Sequence, residues 1–278
     1  MAFQMVYTSV RSGLVAGRSG FCTAARHREI KESLVARLED FSAQYDRGIA
    51  AGGTLPVVYQ HRIVTIRDQR HHVLMRLGDA GNDYTGRTNH IAHCLVVEPS
   101  EIAGLPISPA EAILALSQRG FWRSHYDEPA RFFGAGELID LGSLPRSASL
   151  PAARWRERTG SSANAAQLFD SGAPVDAGIA LAGTGEADAA GILALFAESL
   201  LLLDPGRSSG AALWSVPFTT VLQSSAERSQ FRWCGIVADS GPAAQEVRAG
   251  RRILSPGSAM NPPSSALADI AEGRAPRV

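Results

Sequence analysis

The sequence predicts an α+β fold, in which an antiparallel β-meander with flanking helices precedes a second α/β part ending in a β-hairpin. Three strand-like segments in a row, residues 57–67, 71–77 and 88–97, indicate the meander, because polar and glycine-rich turns separate them. In the second half, a buried strand at residues 175–181 precedes the longest apolar helix, residues 186–203. The chain is therefore expected to combine neighbouring antiparallel strands with packed helices.

Two strands and a helix are expected before the meander. Residues 4–10 alternate as a strand does, and a glycine-rich turn separates them from a short second strand at residues 21–25. Residues 29–45 then show apolar side chains at helical spacing, which predicts a helix with one face on the core: Ile30, Leu34, Leu38 and Phe41.

A helix start follows the meander at Ser108-Pro109-Ala110-Glu111. The segment combines an N-cap serine, a proline at the first helical position and a glutamate at the third. This pattern predicts a helix that runs to about Gln118.

The amino-acid composition changes after Phe133, because residues 134–158 are rich in Gly, Pro and Ser. A soft boundary there divides the chain into an N-terminal α+β module at residues 1–135 and a second α/β subdomain at residues 136–255. Residues 256–278 carry few large apolar groups and are expected to form a flexible tail or linker.

The closing hairpin of the second subdomain is predicted from two segments. Residues 213–223 alternate between two faces, and residues 231–237 form a second strand-like run with which they can pair. The aromatic residues of these segments favour core packing over a base-stacking platform, because no basic excess accompanies them.

The composition excludes several classes of protein. Lys plus Arg and Asp plus Glu number 27 each, so neither a nucleic-acid partner nor an anionic membrane surface is expected. Three separated cysteines, without a CxxC pair, favour a reducing, cytoplasmic compartment over a disulfide scaffold. The most apolar run, residues 192–203, is shorter than the ~20 residues of a membrane span.

Two glycine clusters resemble nucleotide-binding motifs, but neither matches such a motif fully. Residues 13–20 lack the Gly-Lys-Ser/Thr that a phosphate loop requires. The cluster at Gly183 and Gly185 has Asp188 where a dinucleotide fingerprint has its third glycine. We therefore expect no cofactor, and we interpret both clusters as tight connections.

A metal site at the histidines of the third meander strand is also not expected. His90 and His93 are three residues apart, so a strand places them on opposite faces. His90 and Cys94 share a face but lie about 13 Å apart along it, too far for zinc ligands.

A cysteine nucleophile is one alternative function. If the turn after Leu77 is centred near Asp83, His72 lies opposite Cys94, and an imidazole beside a thiol is the minimum for a cysteine-dependent hydrolase. Asp83 would complete a triad, and His90 is the alternative base. A register slip of one residue would move His72 to the other face.

The loop that precedes the third meander strand is the other candidate site. Asp83, Arg87 and Asn89 are polar groups beside a strongly apolar strand. An Asp83–Arg87 ion pair that holds the loop is one interpretation. The others are a recognition surface for a protein partner and a small-ligand or nucleotide sensor that uses Arg87.

Short motifs in a fixed order resemble the N-terminal domain of the GTPase-associated proteins of bacterial multi-gene conflict or immunity systems. They are spread over residues 4–237, and their order carries the resemblance: Tyr7-Thr8-Ser9, Ser12-Gly13-Leu14, Ser19-Gly20-Phe21-Cys22, Tyr45, Pro56, Asp83, Gly86-Arg87, Asn89, His93, Leu201-Leu202-Leu203-Asp204-Pro205 and Pro217-Phe218-Thr219-Thr220. Chains of this family typically continue into middle and C-terminal domains.

The resemblance implies a non-enzymatic adaptor that binds a protein partner, with a GTPase as the candidate. It transfers no catalytic residue. Four residues carry over as a shared signature that is either structural or binding: Asp83, Arg87, Asn89 and His93.

Overall fold

The computed structural model describes residues 1–45, 55–181, 183, 185–237, 240–255, 260, 263 and 265–275. The strands of this part are β1 (Ala2–Val10), β2 (Gly20–Arg26), β3 (Val58–Ile66), β4 (Gln69–Asn82), β5 (Thr88–Val97), β6 (Arg131–Phe132), β7 (Phe169–Asp170), β8 (Ala173–Pro174), β9 (Ala177–Leu181), β10 (Phe218–Thr219), β11 (Trp233–Val237) and β12 (Arg252–Leu254). Its α-helices are α1 (Glu32–Ala43), α2 (Pro99–Ile102), α3 (Pro109–Gln118), α4 (Ala153–Thr159), α5 (Glu186–Leu200), α6 (Gly210–Leu213), α7 (Gly241–Arg248) and α8 (Ala266–Ala271).

Ten of these strands form one mixed sheet in the order β12-β9-β11-β10-β3-β4-β5-β1-β2-β6, and β7 and β8 form a separate hairpin. The neighbours from β10 to β2 are antiparallel, whereas β12, β9, β11 and β10 run parallel to one another. Helices α5 and α6 separate β9 from β10 along the chain, and α7 separates β11 from β12, as parallel connections require. The predicted α+β class is confirmed.

The predicted meander is confirmed as β3, β4 and β5. β4 is longer than its sequence pattern indicated, because it continues through Asn82 with an irregular register between Asp79 and Asn82. The turn is therefore displaced toward the C-terminus, and Met75 faces Cys94 across the two strands. β1 extends this sheet on the free side of β5.

The predicted hairpin between residues 213–223 and 231–237 is corrected. Only β10 forms from the first segment, and it pairs with β11 in parallel. Residues 220–232 carry the chain back to the same end of the sheet, which gives the dozen or more residues that a parallel crossover needs. Alternation is misleading here because Trp214 and Val216 are buried in the connection between α6 and β10 and not in a strand.

Helices cover both faces of the sheet. On one face, the Arg62 guanidinium of β3 lies 4.2 Å from the centre of the Phe41 ring of α1. On the other, the Tyr59 hydroxyl contacts Ser117 of α3 and Glu186 of α5, with oxygen–oxygen distances of 2.9 and 2.8 Å. α5, like the other helices of the described residues, is not long and apolar enough to cross a membrane.

The two halves of the chain share the sheet and the main core. β10 of the second half pairs with β3 of the first, with Phe218 opposite His61. One core cluster includes Leu74 from the first half together with Phe196 and Trp233 from the second. The division at residue 135 stays a prediction about organisation along the chain.

The predicted tail at residues 256–278 lies partly outside the described residues, at 256–259, 261, 262, 264 and 276–278. Within it, Ser265 caps the N-terminus of α8, and its hydroxyl accepts from the Ala268 N–H at 3.2 Å. Ala268 and Ala271 are buried, and the Ala271 carbonyl accepts from the Ala152 N–H at 2.8 Å. This short helix packs on the second half of the chain.

Three of the buried histidines, His61, His72 and His93, have lowered pKa values. His61 Nε2 lies 3.0 Å from His72 Nδ1, and His61 Nδ1 lies 2.9 Å from the Val216 carbonyl. The Val216 carbonyl can only accept, so His61 donates from Nδ1 and accepts the His72 Nδ1 proton. Burial lowers the pKa of both side chains well below the ordinary value, and it lowers the pKa of His93 to about 3.

Stability is expected to fall as the pH decreases from about 6.5 toward 5. Each of these histidines is neutral in the fold but takes up a proton in the unfolded chain near pH 6.5. The stabilisation is therefore complete above pH 6.5 and is lost as the pH falls toward the folded pKa. Each histidine contributes up to about 1.4 kcal/mol per pH unit.

Urea denaturation at pH 7.5, 6.5, 5.8 and 5 measures this dependence. A matched control is His125→Gln, because the His125 side chain is 71% exposed. A free energy of unfolding that stays constant across this range would contradict the expectation.

Candidate functional site

A polar groove of about 700 Å³ opens at the end of the sheet where β1 ends and the β4–β5 loop lies. We call it the loop-end groove. Two of the four signature residues, Asp83 and Asn89, lie in its wall. Its further lining side chains include Ser9, Arg11, Ser12, Asn82, Tyr84, His125, Tyr126, Asp127 and Glu128.

The Asp83 carboxylate organises the β4–β5 loop. Its Oδ1 accepts from the Thr85 N–H at 2.8 Å, the Thr85 hydroxyl at 2.6 Å and the Arg87 N–H at 3.0 Å. Its Oδ2 accepts from the Ser9 hydroxyl at 3.0 Å, which ties the loop to β1. These hydrogen bonds, that from the Thr85 hydroxyl above all, hold the pKa of Asp83 well below its usual range. The loop also needs Gly86, whose φ is +81°.

Asn89 makes the second connection between the loop strand and β1. Its side-chain oxygen lies 3.1 Å from the Ser9 N–H and 3.1 Å from the Thr8 hydroxyl. The Thr8 hydroxyl also lies 2.8 Å from the His90 carbonyl and donates to one of the two oxygens. Sequence motifs separated by some eighty residues therefore meet in one hydrogen-bonded cluster.

Arg87 and Tyr84 project from this loop into solvent. The Arg87 side chain is 69% exposed, although its Nη2 lies 3.3 Å from Asp83 Oδ2 and its Nε 2.8 Å from the Thr85 hydroxyl. The predicted Asp83–Arg87 pair is thus present. Tyr84 is 40% exposed, and the Arg11 guanidinium lies 5.5 Å from the centre of its ring.

His93 lies apart from the loop, on the opposite face of β5 from Cys94. It is fully buried, with Nε2 3.2 Å from Gln4 Oε1 and Nδ1 3.2 Å from the Arg123 N–H. The Arg123 N–H must donate to Nδ1, so Nε2 carries the proton and donates to Gln4. His93 thereby joins β1, β5 and the segment that leads into the far wall of the groove.

That far wall, residues 125–130, was missed by sequence reasoning. Glu128 holds it in place, because its carboxylate accepts from Arg123 at 2.7 Å and from Arg131 at 2.9 Å. Hydrogen bonds from Arg123 and Arg131 lower the pKa of Glu128. The signal available in the sequence was the polar run at residues 123–131, which lacks a strand or helix period.

The proposed opposition of His72 and Cys94 is wrong. His72 pairs with Val97, three positions from the Met75–Cys94 pair, and its imidazole bonds to His61. Burial raises the pKa of the fully buried Cys94 thiol to about 12, which disfavours the thiolate that a nucleophile needs.

The alternative base His90 is engaged elsewhere. Its Nε2 lies 3.1 Å from the Ser42 carbonyl, and its ring stacks on Phe21 at 4.4 Å between centroids. The Asp83 carboxylate is occupied by the loop and β1. Across the described ranges, no group of three or more His, Cys, Asp or Glu side chains could hold a metal ion.

Comparison with known families agrees with the N-terminal part of the resemblance. Residues 1–134 match the family model described as GTPase-associated protein 1, N-terminal domain type 2. The motifs at residues 201–205 and 217–220 lie outside the matched range. Neither a curated protein nor a solved structure matches the chain. The similarity to the GTPase-associated protein 1 N-terminal domain type 2 family therefore covers residues 1–134 of this chain.

Proposed function

We propose that this chain is a non-enzymatic adaptor that binds a GTPase in a bacterial defence-type system, and that the loop-end groove with Arg11, Tyr84 and Arg87 is the contact surface. The observation that carries the proposal is the β4–β5 loop. Hydrogen bonds to the buried Asp83 carboxylate hold this loop in place, and its Tyr84 and Arg87 side chains are exposed to solvent. The family match to a GTPase-associated domain supports the choice of partner.

Tyrosine and arginine suit this role for a physical reason. Both give a large contact area, and they are enriched among the residues that dominate binding energy at protein interfaces. A loop already ordered by its own hydrogen bonds loses little conformational entropy on binding. The Asp83 network therefore supplies preorganisation, and Tyr84 and Arg87 supply the contacts.

Affinity between the chain and the GTPase encoded in a neighbouring gene tests the proposal. We expect Tyr84→Ala and Arg87→Ala each to weaken binding by about 10- to 100-fold, as for central interface residues. Asp83→Ala retains Tyr84 and Arg87 but removes the hydrogen bonds that order their loop, so it is expected to weaken binding as well. Calorimetry with the GTPase in its GDP-bound and GTP-bound states gives the affinities.

Two control variants change exposed residues outside this surface. Val247→Ala removes an apolar side chain that is 62% exposed on α7, and Arg156→Ala removes a cation exposed on α4. Both should bind like the wild-type chain. The proposal fails if the wild-type chain binds the GTPase in neither nucleotide state, or if the Tyr84 and Arg87 variants bind as the controls do.

A further inference from the structure

A second cavity, of about 310 Å³, lies between α3, α4 and α5, away from the loop-end groove. Its volume is at the lower end of the range for small-molecule pockets, about 300–1,000 Å³. The α5 wall is lined by small residues, Ala190, Gly191 and Ala194, and the α3 wall by Leu114. Small side chains on one helix face leave this space open and make its floor apolar.

The Arg158 guanidinium lines the cavity and packs against α5 at Gly191. A Cβ built on Gly191 would lie 2.5 Å from Arg158 Nη2, so a side chain at this position would displace the guanidinium from α5. Gly191 occupies the interior of α5, where glycine is unfavourable for the helix. Within the chain as described, the Arg158 side chain makes no hydrogen bond or ion pair.

The other charged groups of the cavity have partners. Arg154 pairs with Glu157 at 2.9 Å, and both side chains are largely exposed. Glu198 accepts from the backbone N–H groups of Arg154 and Trp155 at the start of α4, at 2.9 to 3.2 Å. Arg158 is therefore the one lining charge left unpaired among the described residues, above an apolar floor.

We propose that this cavity binds a small organic monocarboxylate, with its apolar body on Leu114, Ala190 and Ala194 and its carboxylate on the Arg158 guanidinium. A planar guanidinium pairs with a carboxylate through two parallel hydrogen bonds. A dianion fits less well, because the Glu157 and Glu198 carboxylates also border the cavity. This ligand site is independent of the partner surface at the loop-end groove.

Calorimetric titration of the full chain with hexanoate at pH 7.5 tests the proposal. We expect saturable binding of one hexanoate, weaker binding of 1-hexanol, and weaker binding of hexyl phosphate. Arg158→Gln is expected to reduce hexanoate affinity about 10- to 100-fold, because it removes a charge-assisted hydrogen-bond donor. Arg156→Gln is the matched control on the same helix, outside the cavity lining, and should leave the affinity unchanged.

Two further variants separate binding from folding. Gly191→Ala should maintain or raise the melting temperature, because alanine favours the helix, and yet weaken hexanoate binding by displacing the guanidinium. Ala194→Leu should fill the cavity and abolish binding. The proposal is overturned if hexanoate gives no saturable heat, if Arg158→Gln binds it as tightly as the wild-type chain, or if hexyl phosphate binds more tightly than hexanoate.

Discussion

Replacing Arg62 by methionine is expected to lower the free energy of unfolding by about 3–5 kcal/mol, because the carboxylate of Glu227 then remains buried without a cation. Both side chains are almost fully buried, with 3% and 1% exposed. Arg62 Nη2 donates to Glu227 Oε1 at 2.7 Å, and Arg62 Nε donates to Gln60 Oε1 at 2.7 Å. Chemical denaturation at pH 7.5 measures the effect.

The expected cost does not mean that the pair itself is a large source of stability. Burial raises the pKa of Glu227 and lowers the pKa of Arg62, so for each group the loss of hydration outweighs the attraction of its partner. Removing both charges together should therefore cost much less than removing one. The double variant Arg62→Met, Glu227→Met is expected to recover most of the stability that Arg62→Met loses.

Arg37→Met is the matched control for this experiment. The Arg37 guanidinium also lies over the Phe41 ring, at 4.8 Å, but its side chain is 53% exposed. Its loss should change the free energy of unfolding by no more than about 0.5–1 kcal/mol. If Arg62→Met costs no more than Arg37→Met, or if the double variant is less stable than either single variant, the buried pair does not act as described.

The location of the Arg62–Glu227 pair also shows which features of the fold the sequence does not predict. Arg62 lies in a strand that the sequence predicts, and Glu227 in the connection between β10 and β11, which the sequence assigned to a hairpin loop. Periodicity reports which face of an element is buried, but it does not report what the element pairs with. The pairing of β10 with β3 depends on contacts between residues more than 150 positions apart.

The register between β4 and β5 could not be predicted for a related reason. The loop length between β4 and β5 was inferred from polar residues, but β4 continues through Asp79 and Asn82 with an irregularity that no local pattern marks. Asp83, Arg87 and Asn89 were nevertheless recognised, because a polar loop beside an apolar strand is visible in the sequence. Their hydrogen-bond partners Thr8 and Ser9 lie on another strand, so the pattern of the loop does not indicate these contacts.

Helix capping, in contrast, can be predicted from local sequence. The helix start at Ser108 is confirmed, because capping depends on residues within one turn: the Ser108 hydroxyl accepts from the Glu111 N–H, and the Glu111 carboxylate accepts from the Ser108 N–H at 3.1 Å. The sequence could not show that the same carboxylate has a second and larger role in tertiary structure.

Replacing Glu111 by alanine is expected to cost about 3–5 kcal/mol, well beyond the ~1 kcal/mol of a helix cap. The Glu111 carboxylate is fully buried, and the Arg207 guanidinium donates to both of its oxygens, at 2.8 and 2.9 Å. It also accepts from the N–H groups of Ser147 and Ala148, at 3.1 and 2.9 Å. One side chain thus joins α3 to two connections that are distant in sequence.

The protonation state of Glu111 follows from the same contacts. Burial opposes its ionisation, but the hydrogen bonds from Arg207 and the Ala148 and Ser108 N–H groups outweigh it, so its pKa lies below the ordinary value. The stabilisation is complete above the unfolded pKa, near 4.3, and is lost as the pH falls through the folded pKa. Chemical denaturation at pH 7.5 therefore measures the full effect of Glu111→Ala.

Glu111→Gln keeps an acceptor of nearly the same shape and should cost less than alanine, about 1.5–3 kcal/mol, because it removes the charge beside Arg207. Glu157→Gln removes an exposed carboxylate paired with Arg154, and its cost should stay below about 0.5–1 kcal/mol. Equal destabilisation by Glu111→Gln and Glu157→Gln would mean that the Arg207–Glu111 connection carries no more energy than a surface ion pair. A large difference would show that a carboxylate predicted as a helix cap supports the packing of three separate parts of the chain.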